Sequence, residues 1–165
     1  MMKKFNIYLD TSIISFIYAD DAPEKRDATK EFFEKFVKYG IYEVFISSIV
    51  LDETRKTPNE KLREKLLQIV EQYDLNELDI SEDLENIQAL VEMYIERGVI
   101  PRKKLDDALH IAIATVKQMD MLLSWNYKHL ANINREALVH SVNLSMGYIK
   151  PLRMTTPLEA IYETD

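Results

Sequence analysis

The chain has no cysteine, and only three glycines and five prolines among its 165 residues. Without cysteine it holds no disulfide, no thiolate zinc site and no thiol nucleophile. So few glycines and prolines exclude a collagen-like or low-complexity chain. No apolar run approaches the ~18–20 residues of a membrane span. The first segment, MMKKFNIYLDTSIISFIYADD, sets two lysines before apolar residues, as a signal peptide does. Asp10 and the Thr11–Ser12 hydroxyl pair interrupt its apolar core, however, and no small-residue cleavage site follows. These absences imply a cytoplasmic protein with no membrane partner. The length fits a single domain over residues 1–165, large enough to bury its own core.

Positive charge is also scarce. Lys and Arg number 21 against 28 Asp and Glu, a net charge of −7 that on its face argues against nucleic acid. The distribution weakens that reading. Residues 71–96 hold nine acids and no Lys or Arg, and the rest of the chain carries 19 acids against 21 bases. Within residues 97–150 there are eight bases and four acids. One side of the molecule can therefore be basic, or these charges can simply be a solvated acidic helix and ordinary surface lysines.

Apolar periodicity alternates between strand and helix. Strands are expected at Phe5–Leu9, Val44–Ile46, Leu75–Ile80, Met121–Ser124 and, near the tail, Leu152–Met154. Helices are expected at Ile13–Tyr18, at 24–39 (stopped by Gly40), from a Ser47 or Ser48 cap through Glu53, and after Pro58. Three more follow: one capped by Ser81 and ended by Gly98, one at Leu105–Gln118, and one near 134–146. Such alternation predicts an α/β fold, a three-layer α/β/α sandwich with a central, mainly parallel sheet. Ligands in such folds sit beyond the carboxyl ends of the strands. That directs attention to Asp10, Thr11 and Ser12, to Ser47 and Ser48, and to Trp125 and Asn126.

Each candidate has an ordinary explanation. Asp10 is a good helix N-cap. Glu53 is a helical surface acid within reach of Arg55 or Lys56. Asp106 and Asp107 complement the dipole of the helix they open. Asp107 shares a face with Ile111 and Ala114, which sets it on the buried side, and His110 one turn on reads as a supporting residue. Asn126 can ligate a metal, donate to phosphate or cap a helix. Trp125, the only tryptophan, reads as packing. Taken together, three acids from distant segments meet in one crevice of the expected fold. Carboxylates without cysteine form a hard oxygen site suited to Mg²⁺ or Mn²⁺, and such ions typically act on phosphate esters.

The segments YLDTSIIS (8–15), FISSIVLDE (45–53), LDDALHIAIA (105–114) and LLSWNYKHL (122–130), in that order, resemble the PIN-domain family. This family of metal-dependent ribonucleases includes the toxins of many prokaryotic toxin–antitoxin pairs. The tail TTPLEAI (155–161) resembles one branch of it. The resemblance implies that Asp10, Glu53 and Asp107 are the catalytic, metal-holding acids, with Thr11 or Ser12 as the supporting hydroxyl. The fourth family position, often Asp, falls here on Asn126, an amide that brings no charge to a second metal subsite. The implied reaction is hydrolysis of an RNA phosphodiester by a metal-activated water, with the 3′ oxygen leaving. Arg55, Lys56, Arg102, Lys103, Lys104 and Lys128 are candidates for a basic rim that grips phosphates. A cognate antitoxin and a homodimer are the implied partners. The aromatic and aliphatic surplus of the helices at 24–39 and 60–73 (Phe32, Phe33, Phe36, Tyr39; Leu62, Leu66, Leu67, Ile69) is the expected dimer surface. Two other readings are a catalytically weak or inactive binding module on the same fold, and an aspartyl-phosphate phosphatase. The latter chemistry usually needs an Asp where Ser12 stands.

Overall fold

A computed structural model of the chain describes residues 4–162. Five strands form one sheet: β1 (Asn6–Leu9), β2 (Glu43–Ile46), β3 (Asn76–Glu77), β4 (Met121–Leu123) and β5 (Arg153–Thr155). All neighbours pair parallel, in the order β3-β2-β1-β4-β5. β1 is central, and its Ile7, Tyr8 and Leu9 are fully buried, as a strand covered on both faces requires.

The described residues form eight α-helices, seven in the connections and the last after β5: α1 (Thr11–Ser15), α2 (Pro23–Glu31), α3 (Ser48–Arg55), α4 (Glu60–Gln72), α5 (Leu84–Glu96), α6 (Leu105–Val116), α7 (Ile133–Ser145) and α8 (Pro157–Tyr162). Helices α1–α4 and α8 pack with one another, and so do α5–α7. The division follows from handedness. Right-handed crossovers from β1 to β2 to β3 put their helices on one face, and the reversed direction from β3 back to β4 and β5 puts the next helices on the other. The chain thus changes direction between β1 and β4, the place where open parallel sheets bind ligands. The predicted sandwich is the observed one.

Local chemistry sets the helix ends. Pro23 starts α2 at its first turn, and the helix runs on into a wider π turn at Phe32–Val37. Gly40 closes it with φ +67°, a left-handed conformation that suits glycine. Asn59 caps α4 by accepting from the Leu62 N–H at 3.0 Å. The expected cap of α5 is different from the observed one. Ser81 gives both its N–H and its hydroxyl to Asp79 Oδ1, and Asp83 takes the cap position. The strand expected at 75–80 shrinks to two residues at the sheet edge, because that same Asp79–Ser81 turn bends the chain away. The tail adds α8, tied down by the Tyr42 hydroxyl, which donates to the Ala160 carbonyl at 2.6 Å.

The expected dimer surface is corrected by the packing. Phe32, Phe33, Leu66 and Ile69 are buried in the core of the chain itself, and Phe36 and Leu62 are packed against it. Only Tyr39 of that set is well exposed, at 72%. The helical stripes looked like surplus because one helix in sequence does not reveal that α2, α4 and α8 share one layer.

Candidate active site

Strand register brings the first residues together. Leu9 pairs with Leu123, and Tyr8 with Phe45, so Asp10, Ser47 and Ser124 stand level at the carboxyl end of the sheet. Asp10 is 5% exposed and lies at the N-cap of α1, yet its carboxylate caps nothing. Instead its Oδ1 accepts from the Ser12 hydroxyl at 2.6 Å and its Oδ2 from the Ser124 hydroxyl at 2.5 Å. The second bond spans the change of direction between β1 and β4. Those hydroxyls are themselves fixed, since Ser12 Oγ accepts from the Trp125 N–H and Ser124 Oγ from the Asn126 N–H, each at 2.9 Å.

Glu53 arrives on α3, half-buried. Its Oε1 is 2.8 Å from His110 Nε2. His110, on α6, is 2% exposed, and its Nδ1 lies 2.7 Å from the Tyr8 hydroxyl, which is also 2.7 Å from Ser47 Oγ. The order Ser47–Tyr8–His110–Glu53 is thus a continuous buried chain that ends on a carboxylate. Ser47 is at the N-cap of α3 but spends its side chain on Tyr8 rather than on a cap.

Asp107 and Asp106 part as helical phase requires, about 100° per residue. Asp106 is exposed and Asp107 is turned inward. Asp107 Oδ2 accepts from Asn126 Nδ2 at 3.1 Å and lies 3.3 Å from His129 Nδ1. The Asn126 amide has one orientation that satisfies its surroundings. Its Oδ1 accepts from the Lys128 and His129 N–H groups, both at 3.1 Å, so its nitrogen faces Asp107. Asn126 therefore fastens the loop to the third acid, with its oxygen turned to the backbone.

Charge couples these groups. Burial raises the Asp10 carboxyl above its ordinary value; His110 and the two hydroxyls pull it back, and the Asp107 charge pushes it further up. Burial likewise raises Asp107, against the pull of His129, His110 and Lys104. Burial would raise Glu53 too, but the hydrogen bond and charge of His110, with Thr11 and Lys56, hold it below the usual range. Burial would lower His110, but Glu53, Asp10 and Asp107 together raise it. His110 is thus within electrostatic reach of all three acids.

The remaining expected residues divide. Lys56 lies close enough to act on Glu53, and Lys104 on Asp107. Arg55 pairs instead with Asp52 at 3.3 Å. Arg102 and Lys103 are exposed in the turn before α6, and Lys128 is exposed beyond Asn126. The Thr11 hydroxyl is buried and close enough to Glu53 to lower its carboxyl. Tyr8, Ser124 and His129 were not singled out in the sequence. Tyr8 had one legible sign, a hydroxyl two residues before Asp10 and so on the same side of an otherwise apolar strand.

The donors are carboxylates and hydroxyls, which match a hard divalent cation. Among the described residues, no three of the His, Asp and Glu side chains stand close enough to close on one ion. An ion such as Mg²⁺ needs only one or two direct carboxylates and keeps several waters, so the donor chemistry fits an ion held partly through water.

Residues 7–135 match the PIN domain family. Among solved structures, a chain in the crystal structure of VapBC2 from Rickettsia felis bound to a DNA fragment from their promoter is similar, with a TM-score of 0.56. Identity is 20%, over 74% of this chain and 89% of that one, so the likeness is one of fold. No curated protein matches. Among the described residues no helix is long and apolar enough to cross a membrane.

Proposed function

The chain belongs to the PIN domain family, and from that premise we propose that it is a divalent-metal-dependent endoribonuclease of the cytoplasm, with Asp10, Glu53 and Asp107 as its catalytic acids. The observation that carries this reading is that three acids from separate segments are held at one end of the sheet: Asp10 by Ser124 and Asp107 by Asn126 of one loop, and Glu53 by buried His110 of the helix that also carries Asp107. Separate helix caps or surface acids would share no such framework.

Asp10, Glu53 and Asp107 would hold Mg²⁺ or Mn²⁺, with Thr11 as a further oxygen donor. When bound, such an ion polarises a phosphoryl oxygen and lowers the proton affinity of a water. The chain's own residues do the rest. Ser12 and Ser124 keep both oxygens of Asp10 aimed and leave each with a lone pair to spare. His110, held by Tyr8, fixes the rotamer of Glu53. Asn126 and His129 do the same for Asp107. Lys56 and Lys104 offset part of the triad's negative charge and lie where RNA phosphates would approach. Arg102, Lys103 and Lys128 extend that rim.

A toxin role is part of the proposal, supported by the fold likeness to a chain of VapBC2. The partner it entails is an antitoxin protein. A homodimer would keep Tyr39 of the surface expected for it and add other exposed apolar groups such as Phe5 and Ile41. The binding-module reading has one observation in its favour, namely that Asp107 is already engaged by Asn126 and His129. Incubation with mixed-sequence single-stranded RNA and Mn²⁺ separates the two. The ribonuclease yields shorter fragments, chelation stops it, and Asp10→Asn is inert. RNA left intact by wild type at every metal concentration sinks the ribonuclease reading.

A further inference from the structure

The loop Ser124–His129 ties together the site, and it also presents a second surface. It reaches Asp10 through Ser124, Ser12 through the Trp125 N–H, and Asp107 through Asn126 and His129. Between these inward contacts it turns Tyr127 outward, 48% exposed. The Tyr127 ring meets Trp125 edge-on, with centroids 6.4 Å apart, and Trp125 leans on Phe16 at 6.1 Å.

Over these three rings lies one cation. Lys25 Nζ, from α2, is 5.2 Å from the Tyr127 centroid, 5.3 Å from Phe16 and 5.9 Å from Trp125. Among the described residues it makes no ion pair. Beside it opens a cavity of about 420 Å³, lined by Lys25, Trp125, Tyr127, Leu158 and Ile161. Three acids also line it, but two are engaged: Asp27 by Arg26 at 3.0 Å and Glu31 by Lys35 at 3.2 Å. Glu24 is the third.

This set of groups discriminates among ligands. Carboxylates in the lining disfavour a bare anion. An exposed ring with an apolar floor accepts the flat face of a base, which a stacked duplex does not offer. A carboxylate accepts from the exocyclic amino group of cytosine, and by the same chemistry of adenine. A lysine held only by ring faces keeps its N–H donors for phosphate. We propose that the Lys25–Trp125–Tyr127 cavity binds one unpaired nucleotide of single-stranded RNA beside the catalytic acids, base against Tyr127 and phosphate toward Lys25 and Lys128. The proposal rests on the ribonuclease reading above and supplies its substrate a point of grip.

Binding measured without metal keeps cleavage out of the test. The probe is a labelled single-stranded RNA of about ten nucleotides, followed by polarisation and by the emission of Trp125, the only tryptophan. Loss of one base stack predicts about tenfold weaker binding for Tyr127→Ala, and binding within about twofold of wild type for Tyr127→Phe. Lys25→Met weakens binding and reduces the salt dependence by about one phosphate's worth. Trp125 emission changes with the same midpoint as polarisation. Tyr127 is half exposed, so melting curves are expected to confirm that Tyr127→Ala folds. If wild type binds and cleaves RNA while Tyr127→Ala binds as tightly, the subsite is wrong and the ribonuclease reading stands. Duplex RNA bound as well as single strand, or Trp125 emission indifferent to RNA, overturns the subsite alone in the same way. If wild type neither binds nor cleaves RNA, both fall together.

Discussion

Replacing Tyr8 by Phe removes one oxygen from the middle of the sheet. The ring is fully buried and keeps its volume, so packing is preserved. The oxygen, however, serves Ser47 Oγ and His110 Nδ1, each at 2.7 Å. Both partners are buried, Ser47 at 0% and His110 at 2% exposed, so water cannot readily replace it. An orphaned buried polar group costs ~1–3 kcal/mol. The serine hydroxyl can rotate in search of another acceptor, which puts the expected total at about 2–4 kcal/mol. For a chain of this length each kcal/mol moves the melting temperature by roughly 2–4 °C, so Tyr8→Phe should melt about 5–15 °C lower. Urea denaturation checks the size, with an unchanged slope showing that the unfolded state is not what moved. Ser47→Ala on the Tyr8→Phe background should cost less than it does alone, by about 0.5–3 kcal/mol of coupling. A Tyr8→Phe change within ~0.5 kcal/mol of wild type, the usual range for a surface position, would refute the reasoning. The hydroxyl would then hold neither partner, and His110 would not be fixed against Glu53 in this way.

Two further outcomes follow from the electrostatics. The Asp10 carboxyl is raised by burial, so its contribution to stability is present below its ordinary pKa of 3.8 and lost as pH rises through the folded value. At neutral pH the ionised group is a cost, and because it caps nothing, Asp10→Asn should melt at or above wild type without metal; it should also lose the Mn²⁺-dependent rise in melting temperature, which for wild type grows with the logarithm of free metal. A lower melting temperature in metal-free buffer would contradict this. The Glu53–His110 pair gives a pH window: the raised histidine contributes fully below 6.5 and loses its share as pH climbs through its folded value, and the lowered glutamate contributes fully above 4.5 and loses its share as pH falls through its own. The stability gap between wild type and His110→Gln should therefore be widest between pH 4.5 and 6.5, and a gap flat from pH 4 to 9 would argue against the pair.

In the central strands and in α6, local signals agree with tertiary ones. Phe5–Leu9 and Met121–Ser124 are short apolar runs ended by polar residues, and each became a central strand whose next residue enters the site. The helical phase of α6 separated Asp107 from Asp106 without coordinates, because the buried stripe Ile111–Ala114 fixes which way the helix faces. What could not be read is what depends on a distant partner. Ser81 was a reasonable cap until Asp79 captured it. Phe32 and Phe33 looked like surplus because α8, which shares their layer, begins more than 120 residues later. His129 lies three residues past Asn126 with nothing in its neighbourhood to mark it, and only the fold sets it 3.3 Å from Asp107. Of the three roles open to Asn126 in the sequence, the structure shows the capping one, since its oxygen accepts from the Lys128 and His129 N–H groups; that its nitrogen also holds Asp107 depends on a partner 19 residues away.

Whether Asp107 works with Asp10 and Glu53 on RNA while its neighbour does not is decided by comparing Asp107→Asn with Asp106→Asn in Mn²⁺-dependent cleavage of one single-stranded RNA. Asp107 is held inward by Asn126 and His129, and Asp106 is exposed on the same turn. Asp107→Asn should lower the cleavage rate at least about a hundredfold, as loss of a positioned acid–base group does. Asp106→Asn should cleave within about threefold of wild type, with both variants melting within the roughly ±0.5 kcal/mol or so of an uncoupled substitution or above it. Equal rates for the two variants, or loss of activity in Asp106→Asn alone, would contradict that role of Asp107.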